Sequence, residues 1–292
     1  MLTKTKVLVL GVSGMLGNAV FRMLSASDNL NVVGTARSSG VLRHLAPALH
    51  SGIVLGGDVE NLDRLAELFA KVRPEVVINC IGLVKQLAEA GDPLSAIPVN
   101  SLLPHRLARL CAIGGARLIH VSTDCVFSGR KGAYLESDIP DAEDLYGRSK
   151  LLGEVDYPHA VTLRTSIIGH ELSSAHGLVN WFLSQSGSVS GFTRAIFSGL
   201  PTVELAGVIR DFVLPDPTLS GVYHVSVDPI AKYDLLKLVA QVYSKQIEIV
   251  PNDTLIIDRS LDSSRFREAT GYLPDSWDAL VKKMHAFATT AA

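Results

Sequence analysis

Val7-Leu8-Val9-Leu10 runs into Gly11-Val12-Ser13-Gly14-Met15-Leu16-Gly17 and then into Asn18-Ala19-Val20-Phe21-Arg22-Met23-Leu24, and this stretch decides the fold. Four successive apolar residues with no polar alternation read as a strand buried on both faces of a parallel sheet. Glycines recur three residues apart immediately afterwards, and the apolar residues that follow keep helical spacing. Strand, glycine loop and helix in succession form the context of a phosphate site. The glycines permit a tight turn and a close approach of backbone to a pyrophosphate, while the free N–H groups and the dipole at the helix start attract negative charge.

Working outward, further strands are expected over 31–37, 53–59, 75–82 and 117–124, with helices over 62–72 and 100–113 between them. Such alternation means βαβ units and a doubly wound parallel α/β sheet of the Rossmann kind, which binds a dinucleotide beyond the carboxyl ends of its strands. The position after the second strand selects the cofactor: an acid there would bond the adenosine ribose, whereas this chain has Arg37 and Ser38. A cation suits the 2′-phosphate, so NADPH is expected, with NADH left open. Asp58, with Val59 beside it, ends the third segment where adenine would lie.

Tyr146-Gly147-Arg148-Ser149-Lys150 carries the chemistry. Four residues separate the phenol from the ammonium, so on a helix they lie one turn apart on one face. The neighbouring cation is expected to lower the phenol's pKa and prepare Tyr146 to exchange a proton with a carbonyl oxygen or a hydroxyl. That is half of a redox step; the hydride requires a cofactor, because no side chain delivers one. Ser122 and Thr123 place two hydroxyls at the end of the fifth segment, in reach of a substrate carbonyl.

The glycine loop, Val121-Ser122-Thr123-Asp124-Cys125-Val126-Phe127 and Tyr146-Gly147-Arg148-Ser149-Lys150-Leu151-Leu152-Gly153-Glu154 together resemble the extended short-chain dehydrogenase/reductases, and within them the dTDP-4-dehydrorhamnose reductase group. The likeness continues through Leu163-Arg164-Thr165-Ser166, Gly221-Val222-Tyr223-His224-Val225 and Leu261-Asp262-Ser263-Ser264-Arg265, so it spans nearly the whole chain. It implies a catalytic trio of Thr123, Tyr146 and Lys150, with Lys150 also holding the nicotinamide ribose. The cofactor is expected against Gly11, Ser13, Gly14, Met15, Leu16, Gly17, Arg37, Ser38, Asp58, Val59, Cys80, Ile81, Gly82 and Asn100 as well as Tyr146 and Lys150. The substrate is expected against Lys85, Ser122, Thr123 and Asp124. The implied activity is NADPH-dependent reduction of a 4-keto-6-deoxy nucleotide sugar. An epimerase or dehydratase with bound NAD, and a non-catalytic regulatory subunit on the same fold, stand as alternatives. Cys80-Ile81, Cys125, Ser128 and Ile167-Ile168 depart from the group's usual residues on the substrate side, so the redox machinery carries over better than the identity of the sugar.

The first domain is expected over 1–165, with a segment near 200–215 joining it, and a smaller α/β substrate domain over 166–292. Within the latter, 187–199 reads as a glycine- and serine-rich loop in which Phe192, Arg194 and Phe197 offer a stacking face and a diphosphate ligand. The remaining composition is that of an ordinary globular protein, 47% hydrophobic and 19% charged with net charge −2, and no basic run marks a nucleic-acid face. Lys4 and Lys6 precede a strand rather than a long apolar segment, so a cytoplasmic protein without membrane contact is expected. Three cysteines without CxxC spacing are expected to be reduced and structural, and the histidines show no metal-binding spacing. A homodimer is left open.

Overall fold

The structure, a computed structural model, describes residues 4–85 and 88–290. Met1 to Thr3, the start of the first domain expected over 1–165, lie outside the described residues. The strands are β1 (Thr5–Leu10), β2 (Leu30–Ala36), β3 (Ile53–Leu55), β4 (Val76–Asn79), β5 (Arg117–Thr123), β6 (Ala160–Thr165), β7 (Ile167–Ile168), β8 (Ser188–Phe192), β9 (Ala195–Phe197), β10 (Leu200–Pro201), β11 (Gly221–His224), β12 (Ile230–Ala231), β13 (Glu248–Asn252) and β14 (Ile257–Asp258). The helices are α1 (Met15–Ser25), α2 (Leu62–Val72), α3 (Pro93–Ala96), α4 (Leu103–Gly114), α5 (Leu145–Leu152), α6 (Leu178–Ser184), α7 (Thr202–Val208), α8 (Lys232–Val242), α9 (Ser264–Thr270) and α10 (Trp277–Thr289).

Seven strands form one parallel sheet in the order β11-β6-β5-β4-β1-β2-β3. The order reverses between β1 and β4, and that is where a doubly wound sheet opens a crevice at its carboxyl edge. β1 shows why both faces must be covered. Val7 and Val9 pack with Leu16, Val20 and Leu24 of α1 and with Leu205 and Val208 of α7. Leu8 and Leu10 pack on the opposite face with Leu65, Phe69 and Val72 of α2 and Leu103, Leu107 and Cys111 of α4. Each such buried side chain contributes roughly 1.5–3 kcal/mol by leaving water.

Gly17 determines how α1 meets the glycine loop. A Cβ at this position would lie 2.1 Å from the Gly11 carbonyl oxygen, so only glycine lets the first turn seat against the strand end. Gly11 itself has φ +86°, in the left-handed region that glycine tolerates. Gly147 does the same for α5, where a Cβ would lie 2.2 Å from the Cys125 carbonyl oxygen.

Three expectations change. The third strand stops at Leu55, and Asp58 is exposed in the loop that follows, with Oδ1 accepting from the Glu60 amide at 3.1 Å. The helical path before the fifth strand starts earlier, at Pro93, and passes through a π-helical turn at Ile97–Leu102. The segment 187–199 is not a loop. Ser188–Phe192 pairs in parallel with β13, and Ala195–Phe197 lies between β12 and β14. Its serines and glycine have little strand propensity alone, and pairing with sequence-distant partners supplies what propensity lacks. These strands cover a smaller core of Val179, Phe182, Val189, Phe197, Leu235, Val239, Val281 and Met284.

Gly17→Ala should therefore lower stability by about 1–3 kcal/mol, the usual range for forcing an extra carbon into a packed contact. Urea unfolding of the variant against the wild type checks it, and an unchanged midpoint would contradict the close approach.

Candidate active site

The loops after β1, β4 and β5 and the start of α5 meet at the carboxyl edge of the sheet. The amide of Val12 donates to the Thr35 carbonyl at 2.9 Å, which fixes the glycine loop to β2. α1 then begins just after Gly14, with no side-chain cap and no acidic residue in its first turn. Its first amides are thus left for an anion, and the buried Asn18, in the same helix, keeps an Nδ2 group without a partner. Ser13 and Gly14 are exposed, while the Leu16 side chain is in the core, so only its backbone faces the loop side. Arg37 follows β2 directly and is exposed, as is Ser38, with no acid at that strand end. These residues fit a dinucleotide with a 2′-phosphate.

Lys150 is buried and donates from Nζ to the Val121 carbonyl at 2.9 Å. Gly82 comes close to it: a Cβ on Gly82 would lie 3.7 Å from Nζ. Burial lowers the Lys150 ammonium to about 8, against the opposing influence of Glu154 and Cys80. Tyr146 is half-buried, and its phenol is pushed well above its ordinary value. Burial is the largest cause, Cys125, Asp124 and Asp144 act in the same sense, and the Thr123 hydroxyl opposes them. The expected lowering by Lys150 is not found: burial and the neighbouring acidic groups set the shift, because desolvation disfavours the charged form.

The structure brings Thr123, Tyr146 and Lys150 to this edge. Thr123 Oγ1 donates to Asp124 Oδ1 at 3.1 Å and accepts from the Cys125 amide at 3.1 Å. Asp124 is half-buried, and burial raises its carboxyl while Arg259 and Lys232 oppose. Neither of those cations was singled out in the sequence. Arg259 is anchored by Nε to the Phe127 carbonyl at 2.7 Å, and its distance along the chain concealed it.

Other expected contacts are structural here. Ser122 Oγ donates to Glu154 Oε1 at 2.7 Å, not towards the Thr123 side. Asn100 ties Leu83 to Ser149: Oδ1 accepts from the Leu83 amide at 2.9 Å and Nδ2 donates to Ser149 Oγ at 3.2 Å. Lys85 pairs with Asp144, the residue that caps α5 by accepting from the Gly147 amide at 2.8 Å. Phe197 is buried beside Trp277, Phe192 is half-buried, and Arg194 is exposed in the turn between β8 and β9. Phe197 therefore offers no face to a base. Val59 packs against the α2 and α4 core. Of the three cysteines only Cys111 is buried; Cys80 and Cys125 border the site, with thiols raised to about 12 by burial.

Behind the trio runs a buried chain of polar groups. Arg164 Nε and Nη2 donate to Glu154 at 2.9 and 2.6 Å, and Nη1 lies 2.9 Å from His224 Nε2. His224 Nδ1 lies 3.0 Å from the Tyr134 carbonyl and 3.2 Å from that of Asp262. Two acceptors there require the proton on Nδ1, so Nε2 accepts from the guanidinium.

The family model for the RmlD substrate binding domain matches residues 5–284. The chain belongs to that family. Among curated relatives it is 30% identical, over 89% of this chain and 85% of the other, to a probable low-salt glycan biosynthesis reductase, Agl14, from Haloferax volcanii. It is 28% identical, over 82% of this chain and 74% of the other, to methionine adenosyltransferase 2 subunit beta from Danio rerio. The crystal structure of a hypothetical dTDP-4-dehydrorhamnose reductase from Sulfolobus tokodaii superposes with a TM-score of 0.77 at 26% identity, covering 94% of this chain and 98% of that one. As in the RmlD family match, the likeness runs through both halves of the chain. Among the described residues no helix is long and apolar enough to cross a membrane, and no group of three or more His, Cys, Asp or Glu is gathered as for a metal ion.

Burial lowers His224 from 6.5 to about 4, with the Arg164 charge adding to it. The unfolded chain takes up this proton near 6.5 and the folded protein only near 4, so this part of the stability is complete above 6.5 and is lost as the pH falls towards 4. His224→Asn keeps an amide donor without titrating. Between pH 7 and 4 the wild type should lose about 2–3 kcal/mol more stability than the variant in urea titrations.

Proposed function

We propose that this protein is an NADPH-dependent reductase of a 4-keto-6-deoxy nucleotide sugar, with NADH as the lesser cofactor. The observation that carries the reading is the gathering of Thr123, Tyr146 and Lys150 beside an uncapped helix start, in a chain of the RmlD family. Bound NADPH would supply the hydride, which no side chain provides. The amides at the start of α1 would hold its pyrophosphate, Arg37 its 2′-phosphate and Lys150 its nicotinamide ribose.

The raised phenol suits reduction. Tyr146 stays protonated at neutral pH and is therefore a proton donor to the oxygen that forms. Lys150, one turn away on the same helix, offers positive charge to the tyrosinate left behind. Thr123 polarises the carbonyl once its hydroxyl turns from Asp124 to the substrate oxygen. Arg259 and Lys232, whose charges act on Asp124 from the C-terminal half, join Arg194 as cations for the diphosphate. We assign the substrate to the half built on the smaller core and the cofactor to the large sheet.

A second reading, a non-catalytic subunit, is favoured by the relative from Danio rerio, whose name is that of a subunit. Retention of the whole trio favours the enzyme.

Tyr146→Phe removes one hydroxyl and should lower turnover of a keto nucleotide sugar by roughly 10²-fold or more with NADPH binding intact. Full activity in the variant, or none in the wild type across a panel of such sugars, rejects the reading. Arg37→Ala should weaken NADPH at least about tenfold more than NADH in a fluorescence titration, since only NADPH offers the 2′-phosphate. Equal losses would remove Arg37 from the site.

A further inference from the structure

Glu154 lies two residues beyond α5 and makes contacts that the proton and hydride chemistry leaves unexplained. Its side chain is buried, as is that of its partner Arg164 on β6, and the pair is bidentate at 2.6 and 2.9 Å. Ser122 on β5 donates to Oε1 of the same carboxylate at 2.7 Å. The residue before Ser122 is Val121, whose carbonyl accepts from Lys150 Nζ. The residue after it is Thr123. One carboxylate thus joins the strand that carries Thr123, the strand that carries Arg164 and the end of the helix that carries Tyr146 and Lys150.

We propose that Glu154 is a positioning residue of the catalytic centre, which ties α5 to β5 and supplies the counter-charge that keeps Lys150 an ammonium. A buried pair is weak evidence for stability, because desolvation offsets the Coulomb gain, so its place beside the site needs another explanation. The ionisable groups whose charges act on Lys150, or on which its charge acts, narrow the choice. Cys80, from the loop after β4, has a thiol that burial pushes up to about 12, and His120 on β5 is held neutral by burial. Tyr146, on the same helix, is kept as a phenol. Glu154 remains as the carboxylate whose charge, shared with Arg164, acts on Lys150, and it is the first of the two influences that oppose the burial of Lys150. The inference rests on the reading of Lys150 as the cation of the site, while its test does not require turnover.

The test is the titration of Lys150 in the full chain with ¹³Cε-labelled lysine, its resonance identified by loss in Lys150→Met. The wild-type midpoint is expected at about 8. In Glu154→Gln, which keeps the shape and loses the charge, the midpoint should fall by about one pH unit or more. In Glu154→Asp, with the charge retained but withdrawn by a methylene group, the fall should be in the same direction and smaller. If the Gln variant does not fold by circular dichroism, the Asp variant carries the test. An unchanged midpoint in a folded variant overturns the proposal, and so does a rise towards 10.5, which would report a lysine released to solvent by a merely structural loss. A shift as expected in a protein that reduces no keto sugar would reject the proposed function and leave this role of Glu154 standing.

Discussion

A parallel sheet covered on both faces leaves one place where polar groups can face a ligand, the edge at which its strands end. Val7 and Val9 are committed to α1 and α7, and Leu8 and Leu10 to α2 and α4. Side chains in the middle of the strands are thereby unavailable, and the residues at or just past the ends of β1, β4 and β5 are left to face a ligand. Gly17 and Gly147 matter because each lets a helix start press against such a strand end, where any Cβ would strike a carbonyl oxygen.

Burial then sets the protonation of the site. It disfavours charge on both members of the pair one turn apart, raising the Tyr146 phenol and lowering the Lys150 ammonium. The two pKa values move apart, yet at neutral pH the pair still rests as a phenol beside an ammonium, and a proton can leave the phenol with a cation at hand. The arrangement depends on the charge set behind it. Glu154, held by Arg164 and Ser122, sits where it supports the ammonium, and His224 extends the contact to the carbonyls of Tyr134 and Asp262. The half of the chain that follows β6 therefore helps to fix the polar groups behind the strand that ends in Thr123.

The residues that border Thr123 and Tyr146 are gathered from distant parts of the chain. Cys125 stands beside Tyr146, and Asp124 is balanced between its own burial and the charges of Arg259 and Lys232. Those cations come from α8 and from just beyond β14, far along the chain from Thr123. A small thiol and cations drawn from distant segments at this edge are features on which discrimination between sugars would act.

The sequence by itself determined the parallel sheet, the glycine loop and the Tyr146-Lys150 pair, because each rests on local rules: unbroken apolar runs, a spacing of three between glycines, a spacing of four on a helix. Helix 62–72 was legible too, and the structure shows the Asn61 side chain capping it. Only the tertiary structure decided that 187–199 forms strands, that Phe197 is core, that Ser122 serves Glu154 and that Arg259 reaches the site. It also reversed the expected shift of the phenol. Strand pairing between distant segments, desolvation and long-range charge all depend on what folding brings together, and no local pattern along the chain records them.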